Sequence, residues 1–204
     1  MKRKILSIFV CLALLMSFCT FIPTGVVAAA PNYLSVYVKY PNWPDPVLVH
    51  AYTPAETAQL PASVLYYKGW GTTNLIHAKG SGFTLTALIN DLRKYDPNIS
   101  FGTGASLNIT ASDGFTANYT YEYLYGSPRY YFPNLINTPP SNNNISGASP
   151  VDAMFAITSS TNKSNPTVSK DALDLQTMSD SNSYWFFLGQ TETEAINAIP
   201  TATL

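Results

Sequence analysis

Cysteine is almost absent from this chain. Of its 204 residues only Cys11 and Cys19 are cysteines, and both lie near the amino terminus. If that terminal segment is removed, as its composition predicts below, the processed chain has no thiol. Disulfides, thiolate nucleophiles and cysteine metal ligands are then excluded. The processed chain must therefore be stabilised by a hydrophobic core, and it is long enough to form one.

Charge is absent from residues 5–30, which follow three basic residues at positions 2–4. A basic start, an apolar centre and small residues at the end are typical of a secretory signal peptide. Pro23 interrupts the run, which argues against a membrane-spanning helix. We therefore expect a signal peptide over residues 1–29 and a single secreted domain over residues 30–204, with no membrane span after cleavage.

Basic residues are few, with 11 Lys and Arg against 12 Asp and Glu. Removal of the three basic residues at positions 2–4 leaves 8 against 12, a formal net charge of −4. The remaining basic residues are scattered along the chain. Nucleic acids and anionic membranes are bound through clustered positive charge, so neither is an expected partner.

Histidine is scarce as well, since only His50 and His77 are present. His50 lies in an apolar segment and His77 in a predicted loop, and neither accompanies a serine in a G-x-S-x-G pattern. The closely spaced acidic pairs, Asp171 with Asp174 and Glu192 with Glu194, are explained by solvated turns or helix capping. The sequence therefore predicts no catalytic residue set, no metal site and no cofactor.

Alternating and β-branched segments predict a β-rich domain with a few short helices. Strands are predicted over residues 34–39, 47–52 and 63–68, within 151–157, and over 184–188. Helices are predicted over 84–94, over 120–125, and after the capping residues Thr53 and Thr191. A polar loop containing His77 is expected between the third strand and the first long helix.

Residues 107–121 form a predicted β-hairpin around Asp113-Gly114. A two-residue turn would place the apolar faces of the two strands on opposite sides. A three-residue loop over 112–114, with Gly114 in a left-handed conformation, places them on the same side. It pairs Leu107 with Tyr119, Ile109 with Ala117 and Ala111 with Phe115, and the pattern favours this loop.

Five short segments between residues 60 and 190 carry a resemblance to a known family. They are Tyr66-Tyr67, Gly82-Phe83-Thr84-Leu85, Ser112-Asp113-Gly114-Phe115, Arg129-Tyr130-Tyr131-Phe132-Pro133 and Phe187-Leu188-Gly189-Gln190. In order and spacing they resemble exported proteins of Gram-positive bacteria that are similar to the molybdopterin-binding domain of sulfite-oxidase-type oxidoreductases. The resemblance implies an α+β fold with a β-rich mixed sheet that is partly barrel-like.

One feature of the resembled enzymes is missing. They supply a cysteine thiolate to molybdenum from the region that corresponds to Tyr66–Trp70, and this chain has no cysteine there. They also hold the pterin phosphate with basic residues, for which Lys68, His77 and Lys79 are the nearest counterparts. The resemblance therefore implies the fold without its cofactor.

Aromatic residues are the remaining candidates for a binding site. Aromatic rings stack on the apolar faces of sugars, and nearby amides and hydroxyls bind their hydroxyl groups. Some of the many tyrosines are expected to be exposed or to line a groove, although most of them could equally be half-buried sheet residues. The predicted ligand-binding residues are Tyr67, Trp70, His77, Arg129 and Tyr131.

Two functions remain open at this point. The first is a non-enzymatic binding or accessory domain, secreted or attached to the cell envelope, whose partner is a cell-wall glycan, a peptide or another envelope protein. The alternative is a degenerate or unrecognised oxidoreductase-like enzyme of the molybdopterin-binding fold. In an enzyme, His77, Arg129 and Asp113 would converge in one cleft.

Overall fold

The structure is a computed structural model that describes residues 34–70, 75–110, 114, 116–135, 144–162, 176–177 and 184–200. The predicted signal peptide, Asp113 and the pairing of Ala111 with Phe115 lie outside these residues. Within them the protein is β-rich, with a sheet curled into a half-barrel and four short helices. The α+β architecture expected from the sequence is confirmed at this level.

The elements are numbered in chain order. The strands are β1 Leu34–Val38, β2 Val47–Tyr52, β3 Ala62–Trp70, β4 Leu75–Thr84, β5 Ser106–Thr110, β6 Thr116–Thr120, β7 Tyr130–Tyr131, β8 Ser149–Pro150, β9 Met154–Asn162, β10 Gln176–Thr177 and β11 Trp185–Phe187. The helices are α1 Pro54–Thr57, α2 Leu85–Leu92, α3 Tyr121–Tyr125 and α4 Glu192–Ile196.

The main sheet has the strand order β10-β9-β4-β3, with β11 also paired to β9, and every pair is antiparallel. Strand β4 lies at its centre and pairs with β3 from Phe83 to Leu75. The sequence predicted a loop over most of β4, and that prediction was wrong. Gly80 and Gly82 lower its strand propensity, yet side chains of Met154 and Phe187 pack tightly against Gly80, and the β9 backbone leaves no room for a Cβ atom at Gly82.

The largest core cluster lies where the main sheet meets α2, the β5–β6 hairpin and α3. Its buried side chains include Phe83, Leu85, Leu88, Phe155 and Phe186, all at most 5% exposed. Burial of one such side chain stabilises a fold by about 1.5–3 kcal/mol. The helix predicted over residues 84–94 is present as α2, and its residues Leu85, Leu88 and Leu92 are buried along one side.

The structure confirms the predicted helix caps and the predicted register of the hairpin. Thr53 and Thr191 both form complete capping boxes, with Glu56 and Glu194 as the reciprocal partners. In the hairpin, Leu107 pairs with Tyr119 and Ile109 with Ala117. Gly114 has a φ of +89°, the left-handed conformation that the three-residue loop requires.

Two further strand pairs stand outside the main sheet and position surface loops. Strands β1 and β2 pair antiparallel, with a bulge after Val36, and present Leu34, Val36 and Val38 to the core. Their connection, residues 39–46, contains three prolines and is exposed. The short pair β7–β8 links the segment around Tyr131 to the chain that precedes β9.

Candidate functional site

The five residues that the sequence suggested for ligand binding are all buried. Their exposed fractions are 4% for Tyr67, 6% for Trp70, 1% for His77, 6% for Arg129 and 7% for Tyr131. The predicted loop position of His77 was wrong, because this residue lies within β4. The structure brings His77 into direct contact with Tyr131. Lys68 pairs with His77 and so shares its face of the sheet. Tyr67 precedes Lys68 on β3 and therefore lies on the opposite face.

His77 and Tyr131 fasten β7 to the main sheet. The Nε2 atom of His77 lies 3.1 Å from the Tyr131 hydroxyl, and the two rings are stacked at 5.7 Å between centroids. The neighbouring Lys68 donates from Nζ to the carbonyl oxygen of Pro133 at 2.8 Å, and its burial lowers its pKa. These contacts hold residues 131–133 against β3 and β4, which is a structural role.

Arg129 clamps three separate parts of the chain. It makes four hydrogen bonds, two to the carbonyl oxygen of Tyr123, one to that of Gly189 and one to the carboxylate of Glu194. Its guanidinium also lies over the Tyr123 ring, 4.4 Å from the centroid. Its donors are thus directed to protein atoms around it, as expected of a structural arginine.

Tyr67 and Trp70 also bond to the protein itself. The Tyr67 hydroxyl donates to the carbonyl oxygen of Asp152 at 2.8 Å, and the Trp70 indole donates to that of Ala195 at 3.3 Å. Both residues line a cavity of about 20 Å³. A cavity of this size accommodates one water molecule and no larger ligand.

An open groove lies elsewhere, between the β1–β2 connection and the residues that follow α2. It encloses about 500 Å³ and is lined by Tyr40, Pro41, Asn42, Trp43, Asp96 and Asn98. Binding sites for small ligands commonly enclose 300–1,000 Å³. The groove is therefore large enough for a sugar residue or a ligand of similar size.

One wall of the groove is a tight turn that presents two aromatic rings. The backbone N–H of Trp43 donates to the carbonyl oxygen of Tyr40 at 3.1 Å, and Pro41 and Asn42 occupy the central positions. Proline and asparagine favour such turns. The Tyr40 and Trp43 rings lie 5.5 Å apart with an interplanar angle of 56°, and Trp43 is 51% exposed.

The facing wall carries Asp96. Its carboxylate accepts a hydrogen bond from the Tyr40 hydroxyl and another, 2.9 Å long, from the backbone N–H of Asn98. Both bonds stabilise the ionised form and lower the pKa of Asp96, and the bond to the carboxylate raises the pKa of Tyr40. Asp96 is therefore an anion at neutral pH, oriented by groups from both walls.

The sequence-based prediction missed this groove. The feature of the sequence that could have indicated the groove is Trp43, a large aromatic residue between Pro41 and Pro44 in a polar connection. The partner wall could not be inferred, because Tyr40 and Asp96 are 56 residues apart and contact each other only through the fold. The helix predicted over residues 84–94 ends just before this wall, and no role is predicted for Asp96.

Two features are absent from the described part of the chain. No group of three or more His, Cys, Asp or Glu side chains suited to a metal ion occurs among the described residues. No helix within those same ranges is long and apolar enough to cross a membrane.

Comparisons with known proteins add no identification. No protein-family model, curated protein or solved structure matches the chain. The resemblance to the molybdopterin-binding domain of sulfite-oxidase-type oxidoreductases therefore stays a prediction, and function must be argued from the groove itself.

Proposed function

We propose that this protein is a secreted or cell-envelope-associated binding domain that holds a carbohydrate in the groove beside Trp43 without reacting with it. The observation that carries the proposal is the exposed indole of Trp43, fixed by a turn and placed against Tyr40 and Asp96. A half-exposed indole at the wall of a groove leaves an aromatic face open to stacking by a ligand.

The chemistry of the lining suits a sugar. The apolar face of a pyranose ring can stack on the Trp43 indole, as aromatic residues do at amphipathic interfaces. The side chains of Asn42, Asn98 and Asp96 supply amide and carboxylate groups that can exchange hydrogen bonds with hydroxyl groups. A groove open to solvent also admits one unit of a longer glycan chain.

The groove favours binding over hydrolysis. Cleavage of a glycosidic bond requires two carboxyl groups about 5–10 Å apart across the sugar. Of the six residues that line the groove, Asp96 alone is an acid. The predicted signal peptide over residues 1–29 and the scarcity of charge support an extracellular partner such as a cell-wall glycan.

Replacement of Trp43 by alanine is expected to weaken glycan binding about ten-fold, because loss of a stacked ring removes about 1.5 kcal/mol. The measurement is isothermal titration of residues 30–204 with soluble cell-wall glycan fragments, and with short peptides as the competing ligand class. Val64→Ala is the matched control, since Val64 is 50% exposed on β3 and does not line the groove.

Two results would contradict the proposal. One is wild-type affinity of the Trp43→Ala variant for the fragments. The other is binding of the peptides with no binding of any glycan, which would assign the groove to a different ligand class.

A further inference from the structure

We infer that the groove selects a sugar carrying a free ammonium group, such as a de-N-acetylated hexosamine unit, over its neutral N-acetylated counterpart. The inference rests on the proposed function and specifies the ligand of the same groove.

The lining of the groove carries a negative charge that it does not neutralise. Among its six residues Asp96 is an acid and none is basic. The ion pairs found among the described residues are His50–Glu56, Lys94–Asp91 and Arg129–Glu194, so Asp96 takes part in none of them.

Of the basic residues near the lining in sequence, the two that precede Asp96 are engaged elsewhere, and Lys39, next to Tyr40, takes part in none of these ion pairs. Lys94 pairs with Asp91 on α2. Arg93 donates to the Asn90 side chain at 2.7 Å and to the carbonyl oxygen of Ile99 at 3.2 Å. None of these three cations forms an ion pair with Asp96, so a positive charge on the ligand would complement it.

The two rings favour the same ligand charge. The face of a tryptophan or tyrosine ring attracts an ammonium group within about 6 Å of its centroid. Tyr40 and Trp43 are tilted towards each other by 56° and share the groove with the carboxylate. An ammonium group would be attracted both by the rings and by the Asp96 carboxylate. A neutral acetamido group at the same position forms neither a cation–π contact nor an ion pair.

Asp96 is well suited to this role over a wide pH range. Its hydrogen bonds from Tyr40 and from the Asn98 backbone stabilise the carboxylate over the acid. The lowered pKa of Asp96 means that the groove keeps its negative charge in mildly acidic solution. Under those conditions the amino group of a de-N-acetylated sugar is protonated.

The test compares two ligands that differ only in acetylation, a glucosamine tetramer and an N-acetylglucosamine tetramer, titrated in mildly acidic, low-salt buffer. We expect the glucosamine tetramer to bind about five-fold more tightly, the sum of one cation–π contact and one exposed ion pair. The preference should fall as salt is added, because exposed charges are screened.

Two variants separate the groove from the general acidity of the protein. Asp96→Asn keeps the shape of the side chain and is expected to reduce the preference to about two-fold, because the ion pair is lost while the contact of the ammonium group with the two rings remains. Asp45→Asn removes the same charge from the exposed β1–β2 connection, outside the lining, and should keep the five-fold preference.

Equal binding of both tetramers to the wild-type protein would overturn the inference and leave the proposed function standing. Retention of the full preference by Asp96→Asn, or its loss in Asp45→Asn, would also overturn the inference. Failure of both tetramers and of every other glycan to bind would refute the inference and the proposed function together.

Discussion

Replacement of Gly82 by alanine is expected to destabilise the fold by more than about 3 kcal/mol, beyond the usual cost of overpacking. A Cβ atom at this position would overlap the carbonyl oxygen of Phe155 and lie 2.8 Å from the Cα atom of Ala156. Both are backbone atoms of β9, which is paired to β4 on either side of a register shift at this point. Relief of the overlap therefore requires separation of the two central strands.

The measurement is the free energy of unfolding from urea denaturation, with soluble yield as a second readout if the variant does not fold. Gly102→Ala is the control, because a Cβ atom there would meet nothing within 4 Å. That control should change stability by less than about 0.5 kcal/mol. A Gly82→Ala protein within about 0.5 kcal/mol of wild type, the range of ordinary surface changes, would contradict the described pairing of β4 with β9.

Replacement of Arg129 by methionine is expected to lower the free energy of unfolding by about 3–5 kcal/mol, the cost of breaking a buried ion pair from one side. Methionine keeps much of the apolar stem but makes none of the hydrogen bonds to Tyr123, Gly189 and Glu194. The side chain of Glu194 is 12% exposed and would lose its ion-pair partner.

Arg93→Met is the matched control, because Arg93 lies on the surface and bonds only within its own helix end. It should cost no more than about 1 kcal/mol. If the Arg129→Met protein were as stable as Arg93→Met, the stabilising role of the Arg129 hydrogen bonds and ion pair would be disproved. Retention of glycan binding by a folded Arg129→Met protein is expected, since Arg129 does not line the groove.

The predictable parts of the fold are those encoded by neighbours in sequence. The capping boxes at Thr53 and Thr191 need only residues three positions apart, and the hairpin register follows from alternation around Gly114. Strand β4 is different, because its glycines and His77 lack strand propensity. It is a strand because β3 and β9 pair with it on both sides, a long-range effect that overrides local preference.

The difference between local and long-range contacts also explains why the binding site was not predicted from the sequence. The five aromatic and basic residues first suggested for binding are buried, because β-sheet packing uses large amphipathic side chains as core. Trp43 was visible in the sequence, but its importance depends on Asp96 across the groove. Contacts between residues so far apart in the chain follow from the tertiary fold and are not encoded in any local pattern.

The central claim is that ligand is bound at Trp43 and not at the buried cluster around Trp70. The chain has three tryptophans, Trp43, Trp70 and Trp185, so their indole N–H signals can be assigned in a heteronuclear NMR spectrum by single substitutions. During titration with cell-wall glycan fragments, the Trp43 signal should shift with ligand concentration. The Trp70 signal should stay in place, because its indole is 6% exposed and bonded to Ala195. A saturable shift of Trp70 with Trp43 unmoved would contradict the account.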